Sequence, residues 1–191
     1  MKLVLASSSP FRKALLEKLQ LDFQCDSPNI DETPGMNESI KDMVRRLAES
    51  KAQALAKSHP DSLIIGSDQS ASLHGQVLHK PGNFESAFKQ LKAASGQTIT
   101  FYTGLCLLNT QTHEAETICE PYIVKFRSLC DSEIENYLNR DEPFNCAGSF
   151  KSEALGISLF ESMQGDDPNT LIGLPLIQLC RMLKNQGMSV I

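Results

Sequence analysis

The chain opens on an apolar run, Lys2-Leu3-Val4-Leu5-Ala6, that stops at Ser7-Ser8-Ser9-Pro10. A run of that length closed by turn formers reads as a short buried strand. Pro10 has no backbone N–H to donate, so it suits the first turn of a helix, where that proton would be unpaired anyway. Phe11, Leu15 and Leu19 then recur every four residues and predict an amphipathic helix over 10–19. A strand that feeds a helix through a serine turn points to a sheet with helices packed on it.

The rest of the chain continues in that style. Ser39 suits the N-cap of a helix over 40–57, with Asp42 three residues on as a near capping box. Leu63-Ile64-Ile65-Gly66 reads as a short buried strand delivering Ser67-Asp68-Gln69 at its end. His74-Gly75 marks a turn, and Pro81-Gly82 breaks the chain ahead of a helix near 84–94. Thr98–Leu108 and Ala115–Arg127 are rich in β-branched and aromatic residues, and their polar link predicts a long hairpin. Pro121 implies an edge position or a bulge in its second strand. Helices follow at 131–139 and 174–185. With 191 residues, no repeat and no linker, the expectation is one α/β or α+β domain, 1–191, around one sheet.

Charge and cysteine usage narrow the function classes. There are 18 Lys+Arg against 23 Asp+Glu, a net charge of −5, which excludes a generally basic nucleic-acid binder but leaves room for a local anion pocket. No apolar run approaches the ~18 residues of a membrane span, and the apolar start is too short for a signal peptide. The six cysteines (25, 106, 119, 130, 146, 180) include no C-x-x-C pair. Scattered reduced thiols in a cytoplasmic protein are the expectation.

Several stations carry chemistry. Ser7, Ser8 and Ser9 lie before a helix N-terminus, with Arg12 and Lys13 in its first turn. Unpaired amides, the helix dipole, a planar guanidinium fork and a compact ammonium all suit phosphate oxygens, although a serine-rich cap with a solvated basic pair is the plain alternative. Lys51 falls in the apolar stripe Met43, Leu47, Leu55, so it either snorkels from the core edge or meets an anion. Arg45 and Arg46 lie off that stripe and read as surface charges. Asp68 beyond a strand end suits a metal ion or an attacking water, or simply a cap. Lys80 is a further cation, and Asp31-Glu32 sits in an acidic loop from which one carboxylate suffices for magnesium. No G-x-S-x-G elbow or Walker A loop is present.

Together these stations resemble the Maf nucleotide pyrophosphatases. Leu5-Ala6-Ser7-Ser8-Ser9-Pro10-Phe11-Arg12-Lys13 is similar to that family's L-A-S-x-S-P-x-R-[RK] signature. The likeness continues through Asp31-Glu32, Lys51-Ala52, Gly66-Ser67-Asp68-Gln69, Lys80-Pro81, Ser95-Gly96, Tyr102-Thr103-Gly104, Ala147-Gly148, Asn169 and Gly173-Leu174-Pro175. The resemblance implies a single elongated α/β domain around a mixed, curved sheet with a central cleft, as in Maf and ITPase-like folds. It also implies hydrolysis of nucleoside triphosphates to monophosphate and pyrophosphate with a divalent cation, magnesium or manganese. By the same likeness Ser7, Ser9, Arg12, Lys13, Lys51 and Lys80 would hold the triphosphate. Asp68 would be the proton acceptor, and Glu32 with Asp68 would face the metal. The partner implied is a small nucleotide, with no nucleic acid or membrane; oligomeric state, a homodimer included, stays open.

Three positions bear on the base. Phe11 stands where many relatives carry a second Arg, Gln69 where others carry Thr, and Glu153 where pyrimidine-directed members carry Gln. This set resembles the subgroup acting on 7-methyl-GTP. An aromatic face attracts a flat cation by roughly 0.5–2 kcal/mol, and a carboxylate can accept from the guanine N1–H and amino group. Core packing of Phe11 and a Glu153–Lys151 ion pair are the competing readings. A dTTP/UTP pyrophosphatase of the same family and a nucleotide-binding regulator of septum formation are the rival functions.

Overall fold

The computed structural model describes all residues, 1–191. The elements run β1 (Lys2–Ala6), α1 (Pro10–Glu17), β2 (Gln24–Asp26), α2 (Ile40–Ala54), β3 (Ser62–Leu73), β4 (Gln76–Leu78), α3 (Phe84–Ala94), β5 (Thr98–Asn109), β6 (Glu114–Phe126), α4 (Asp131–Asp141), β7 (Phe160–Gln164), α5 (Asn169–Ile172) and α6 (Leu176–Asn185). One seven-stranded sheet has the order β2-β1-β3-β5-β6-β7, with β4 paired to β3. β1 is parallel to both β2 and β3, whereas β4 and β7 pair antiparallel with β3 and β6. The sheet is mixed and helices alternate with strands, so the α/β expectation holds.

The chain forms two compact units. The first comprises Met1–Gln69, Thr103–Glu120 and Asp167–Ile191, the second Ser70–Tyr102 and Pro121–Asp166. In the first unit, strand alternation sorts the core into two layers. Leu3, Leu5, Leu63, Ile65, Leu105 and Leu107 pack with Leu15 and Leu16 of α1 and with Leu179, Met182 and Leu183 of α6. The even-numbered Val4, Ala6, Ile64, Cys106 and Leu108 pack with Ala48, Ala52 and Leu55 from α2 and its C-cap. α1 and α2 therefore lie on opposite faces. The strand order places β2 on one side of β1 and β3 on the other, which makes the carboxyl end of β1 a topological switch point.

In the second unit, Phe101, Phe126, Phe150 and Phe160 form an edge-to-face cluster with centroid separations of 4.8–5.6 Å. His74 and Gly75 both have positive φ (51° and 81°), the geometry of a two-residue hairpin turn, as their sequence predicts. The long hairpin appears as β5 and β6. Pro121 precedes the β6–β7 pairing, which begins at Ile123, and a register shift follows at Lys125/Phe126. Pro121 thus lies outside the β6–β7 ladder, close to the irregularity that the sequence expects.

β3 departs from its expected extent. It does not stop at Gly66 but runs on to Leu73, so Ser67, Asp68 and Gln69 are mid-strand residues. The apolar run ends there because the partner changes. β1 pairs with β3 only as far as Ala6↔Gly66, and beyond it the strand continues with polar and small residues. Asp68 lies two positions past the last β1 pair. It is still beyond a carboxyl end, that of β1. The first, second and last long helices are also shorter than expected, ending at Glu17 and Ala54 and starting at Leu176.

Candidate active site

The serine turn builds the first wall. Ser9 caps α1, its Oγ accepting from Arg12 N at 3.4 Å, and Pro10 occupies the first helical position. Ser7 Oγ, nearly buried, accepts from Ser9 N at 3.1 Å. Each hydroxyl is thus oriented by a backbone amide and keeps its own proton to donate. Arg12 is partly buried and donates through Nε to Gly173 O at 3.0 Å, which leaves its two terminal nitrogens directed elsewhere. Burial lowers the Arg12 pKa from its usual value, opposed by the negative charges of Asp68 and Glu32. That opposition places a helix α1 cation within electrostatic reach of both carboxylates. Lys13 is exposed and pairs with Glu17 one turn on, at 3.8 Å.

The second wall is α2. A Cβ on Gly66 would sit 2.0 Å from Ala48 O and 3.0 Å from Ala52 N, so the helix backbone lies directly against β3 at that position. Asp68 leaves the same face of the strand two residues on, and Lys51 is the α2 side chain that meets it. Lys51 Nζ is 2.6 Å from Asp68 Oδ1 and 2.8 Å from Glu32 Oε1. Lys51 is only 8% exposed, and does not snorkel to solvent. Glu32 comes from the acidic segment before α2, which Arg46 holds in place. The Arg46 guanidinium grips both Glu38 oxygens at 2.6 and 2.7 Å and donates to Thr33 O at 3.2 Å. This fork, with the Gly35 amide, holds the Glu38 carboxyl down to about 2. Arg46 is therefore more than the surface charge its position off the stripe suggests. Arg45 fits that description better, reaching Thr117 O at 3.5 Å.

Gln69 turns to the opposite face of β3 from Asp68. Its amide nitrogen contacts Thr103 Oγ1, Thr170 O and Leu171 O at 3.0, 2.8 and 3.1 Å. Ser67 Oγ donates to Gly173 O at 2.8 Å. No sequence signal marks this network, because side-chain bonds to carbonyls a hundred residues away leave no spacing to read. Asp167, which no motif singles out, accepts from Asn169 N, Asn169 Nδ2 and Ile177 N, capping α6.

Ser7, Ser9, Arg12, Glu32, Lys51 and Asp68 thus belong to one unit and gather around the end of β1. Phe11, beside them in sequence, is 39% exposed rather than packed in the core with Leu15 and Leu16. Lys80 and Glu153 belong to the second unit, and both are exposed. Lys151 is engaged by Asp141 through its backbone carbonyl and carboxylate, so it does not pair with Glu153, whose carboxylate meets Ser152 Oγ at 3.3 Å.

No group of three or more His, Cys, Asp and Glu is arranged as a metal cage. Glu32 and Asp68 nevertheless present hard carboxylate oxygens to one cationic centre. That donor set fits magnesium or manganese, which need only one or two protein oxygens when phosphate and water complete the shell. All six cysteines are free thiols, and burial pushes Cys106 up to about 11, which disfavours its thiolate. No helix is long and apolar enough to cross a membrane.

Several known proteins are similar to this chain. The 7-methyl-GTP pyrophosphatase of Colwellia psychrerythraea is 54% identical over 189 residues, covering 99% of this chain and 94% of that protein. Among solved structures, the Staphylococcus aureus Ham1 protein aligns with a TM-score of 0.49 at 14% identity, over 66% of this chain and 72% of that one. A nucleoside-triphosphatase (dITP/XTP pyrophosphatase) of Mycobacterium abscessus aligns with a TM-score of 0.41 at 15% identity, over 68% and 76%. The model of Maf-like proteins matches residues 2–186, a span that includes the serine turn, Glu32, Lys51 and Asp68 alike, and the chain therefore belongs to the Maf-like family.

Proposed function

We propose that this protein hydrolyses 7-methyl-GTP to 7-methyl-GMP and pyrophosphate, removing a modified nucleotide. The observation that carries the chemistry is Lys51 held between Asp68 and Glu32 at the end of β1, with Arg12 nearby. Carboxylates alone would repel a triphosphate, and cations alone would bind it without activating water. A site that holds both can do each task. The substrate choice is supported by the relative named above and by Phe11, Gln69 and Glu153.

In this reading water attacks the α-phosphorus in line, and the bond to the bridging oxygen breaks as pyrophosphate leaves. Asp68 orients that water and accepts its proton. Ser7 and Ser9 donate hydroxyl protons to phosphate oxygens, and the free edge of the Arg12 guanidinium takes two more. Lys51 meets charge that develops on the phosphate, and it moves off Asp68 or shares it as substrate binds. Lys13 adds a further cation on α1, and Lys80 is assigned to the phosphates on its sequence motif alone. Glu32 and Asp68 would hold the divalent cation, which when bound neutralises phosphate charge and polarises its oxygens. Phe11 offers an exposed face to the positively charged methylated ring, and Glu153 a carboxylate to its N–H donors; Lys80 and Glu153 enter on their sequence motifs. The free thiols support a reducing compartment, the cytoplasm.

The test is a hydrolysis panel of 7-methyl-GTP, GTP, UTP, dTTP and CTP with and without magnesium, reading pyrophosphate. Preference for 7-methyl-GTP with metal-dependent release of pyrophosphate is the expected result. Preference for UTP or dTTP would favour the pyrimidine enzyme, and binding without turnover would sink the enzymatic reading.

A further inference from the structure

Gln69 follows Asp68 on β3, so the two side chains leave opposite faces of one strand. Its two amide protons serve three acceptors, Thr103 Oγ1, Thr170 O and Leu171 O. Thr103 Oγ1 in turn donates to Thr170 O at 2.9 Å, which fixes the amide with its nitrogen toward the turn. The donor capacity of Gln69 is spent on Thr103 of β5 and on two carbonyls of α5. Two residues earlier, buried Ser67 donates to Gly173 O, the carbonyl that also accepts from Arg12 Nε. Gly173 has φ 120°, a conformation that side chains rarely adopt, and a Cβ there would lie 3.3 Å from Arg12 Nε. The segment 170–173 therefore hangs from β3 at Gln69 and at Ser67, and holds Arg12 from its far side.

We propose that Gln69 and Ser67 are positioning residues that set the Arg12 guanidinium through the Gly173 carbonyl. One strand then carries the proton acceptor on one face and fixes the phosphate clamp from the other. The spacing between Asp68 and Arg12 is set by strand geometry rather than by two independent loops. This role rests on the reading of Arg12 as a phosphate ligand.

Pyrophosphate affinity measured by calorimetry tests it without requiring turnover. Gln69→Met should weaken pyrophosphate binding about threefold to tenfold, the range for loss of one or two net hydrogen bonds, and raise KM by a similar factor. Introduced into Arg12→Ala protein, Gln69→Met should cost nothing further, since the residue it acts through is gone. Ser67→Ala, a smaller change, should show the same pattern and serves if Gln69→Met unfolds. Unchanged pyrophosphate affinity in both variants, or an equal loss in the Arg12→Ala background, would each overturn the proposal. Absence of turnover in the unmodified protein would instead count against the pyrophosphatase reading, while the pyrophosphate coupling would still support positioning.

Discussion

Lys51 Nζ and Asp68 Oδ1 lie 2.6 Å apart, with both side chains largely withdrawn from solvent. The ion pair joins α2 to β3 at the position where β1 ends, and Gly66 makes the approach possible by having no side chain to hold the helix away. A buried pair of this kind contributes little net stability, because the desolvation of both charges offsets their attraction. Its value to the protein lies in what else the two groups can do when a polyanion arrives.

Asp68→Ala should lower kcat by about 10²–10⁴-fold, the usual contribution of a positioned proton acceptor, with a much smaller change in substrate affinity. Steady-state kinetics separate the two. An unchanged kcat would remove Asp68 from the chemistry.

Gly66→Ala places a methyl group against Ala48 O and tests the helix–strand approach. The neighbour is backbone, so α2 must shift. We expect destabilisation of about 1–3 kcal/mol, read by urea denaturation, with activity falling further than stability because Lys51 moves with the helix.

Glu38→Gln probes the anchor of the segment that carries Glu32. In the folded protein the Glu38 carboxyl titrates at about 2, below its ordinary 4.5. A depressed carboxylate contributes stability that is fully present above the unfolded value and is lost as pH falls through the folded one. The unmodified protein should therefore lose this contribution progressively from about pH 4.5 down to about 2, and Glu38→Gln should flatten that part of the curve. Thermal unfolding across the neutral to acidic range measures it. At neutral pH the variant should also show a raised KM, since Arg46, which also donates to Thr33 O beside Glu32, loses the carboxylate that orients it.

Glu153→Gln and Phe11→Arg should erode the preference for 7-methyl-GTP over GTP, each by about threefold to thirtyfold, in line with one lost charge-assisted or cation–π contact. Competition assays with the two nucleotides read the ratio directly. A preference that survives both changes would defeat the base assignment.

Much of this arrangement is legible in the order of the residues. The serine turn, the cap at Ser9, the helix after Ser39, the His74-Gly75 turn and the long hairpin are local features, and local patterns announce them. Lys51 stands out in an apolar stripe, and Asp68 by following one. The pattern misleads at the end of β3, because a strand that changes its pairing partner changes its hydrophobic character without ending. Arg46 reads wrongly for a related reason: its partner Glu38 lies on a loop whose course only the fold defines.

The amino-acid order alone determined the alternation of strands and helices, the acid and cation types available, and their family likeness. These depend on periods of two and 3.6 residues and on short motifs, which are properties of neighbouring residues. Only the tertiary structure decided that Lys51 is shared by Glu32 and Asp68, and that Gln69 faces away from them to hold the turn behind Arg12. Those outcomes depend on the pairing register of β1 with β3, on the contact of α2 with Gly66, and on backbone carbonyls contributed from the far end of the chain. No spacing within a segment encodes them, because the groups that meet are brought together by the packing of the two helix layers on the sheet.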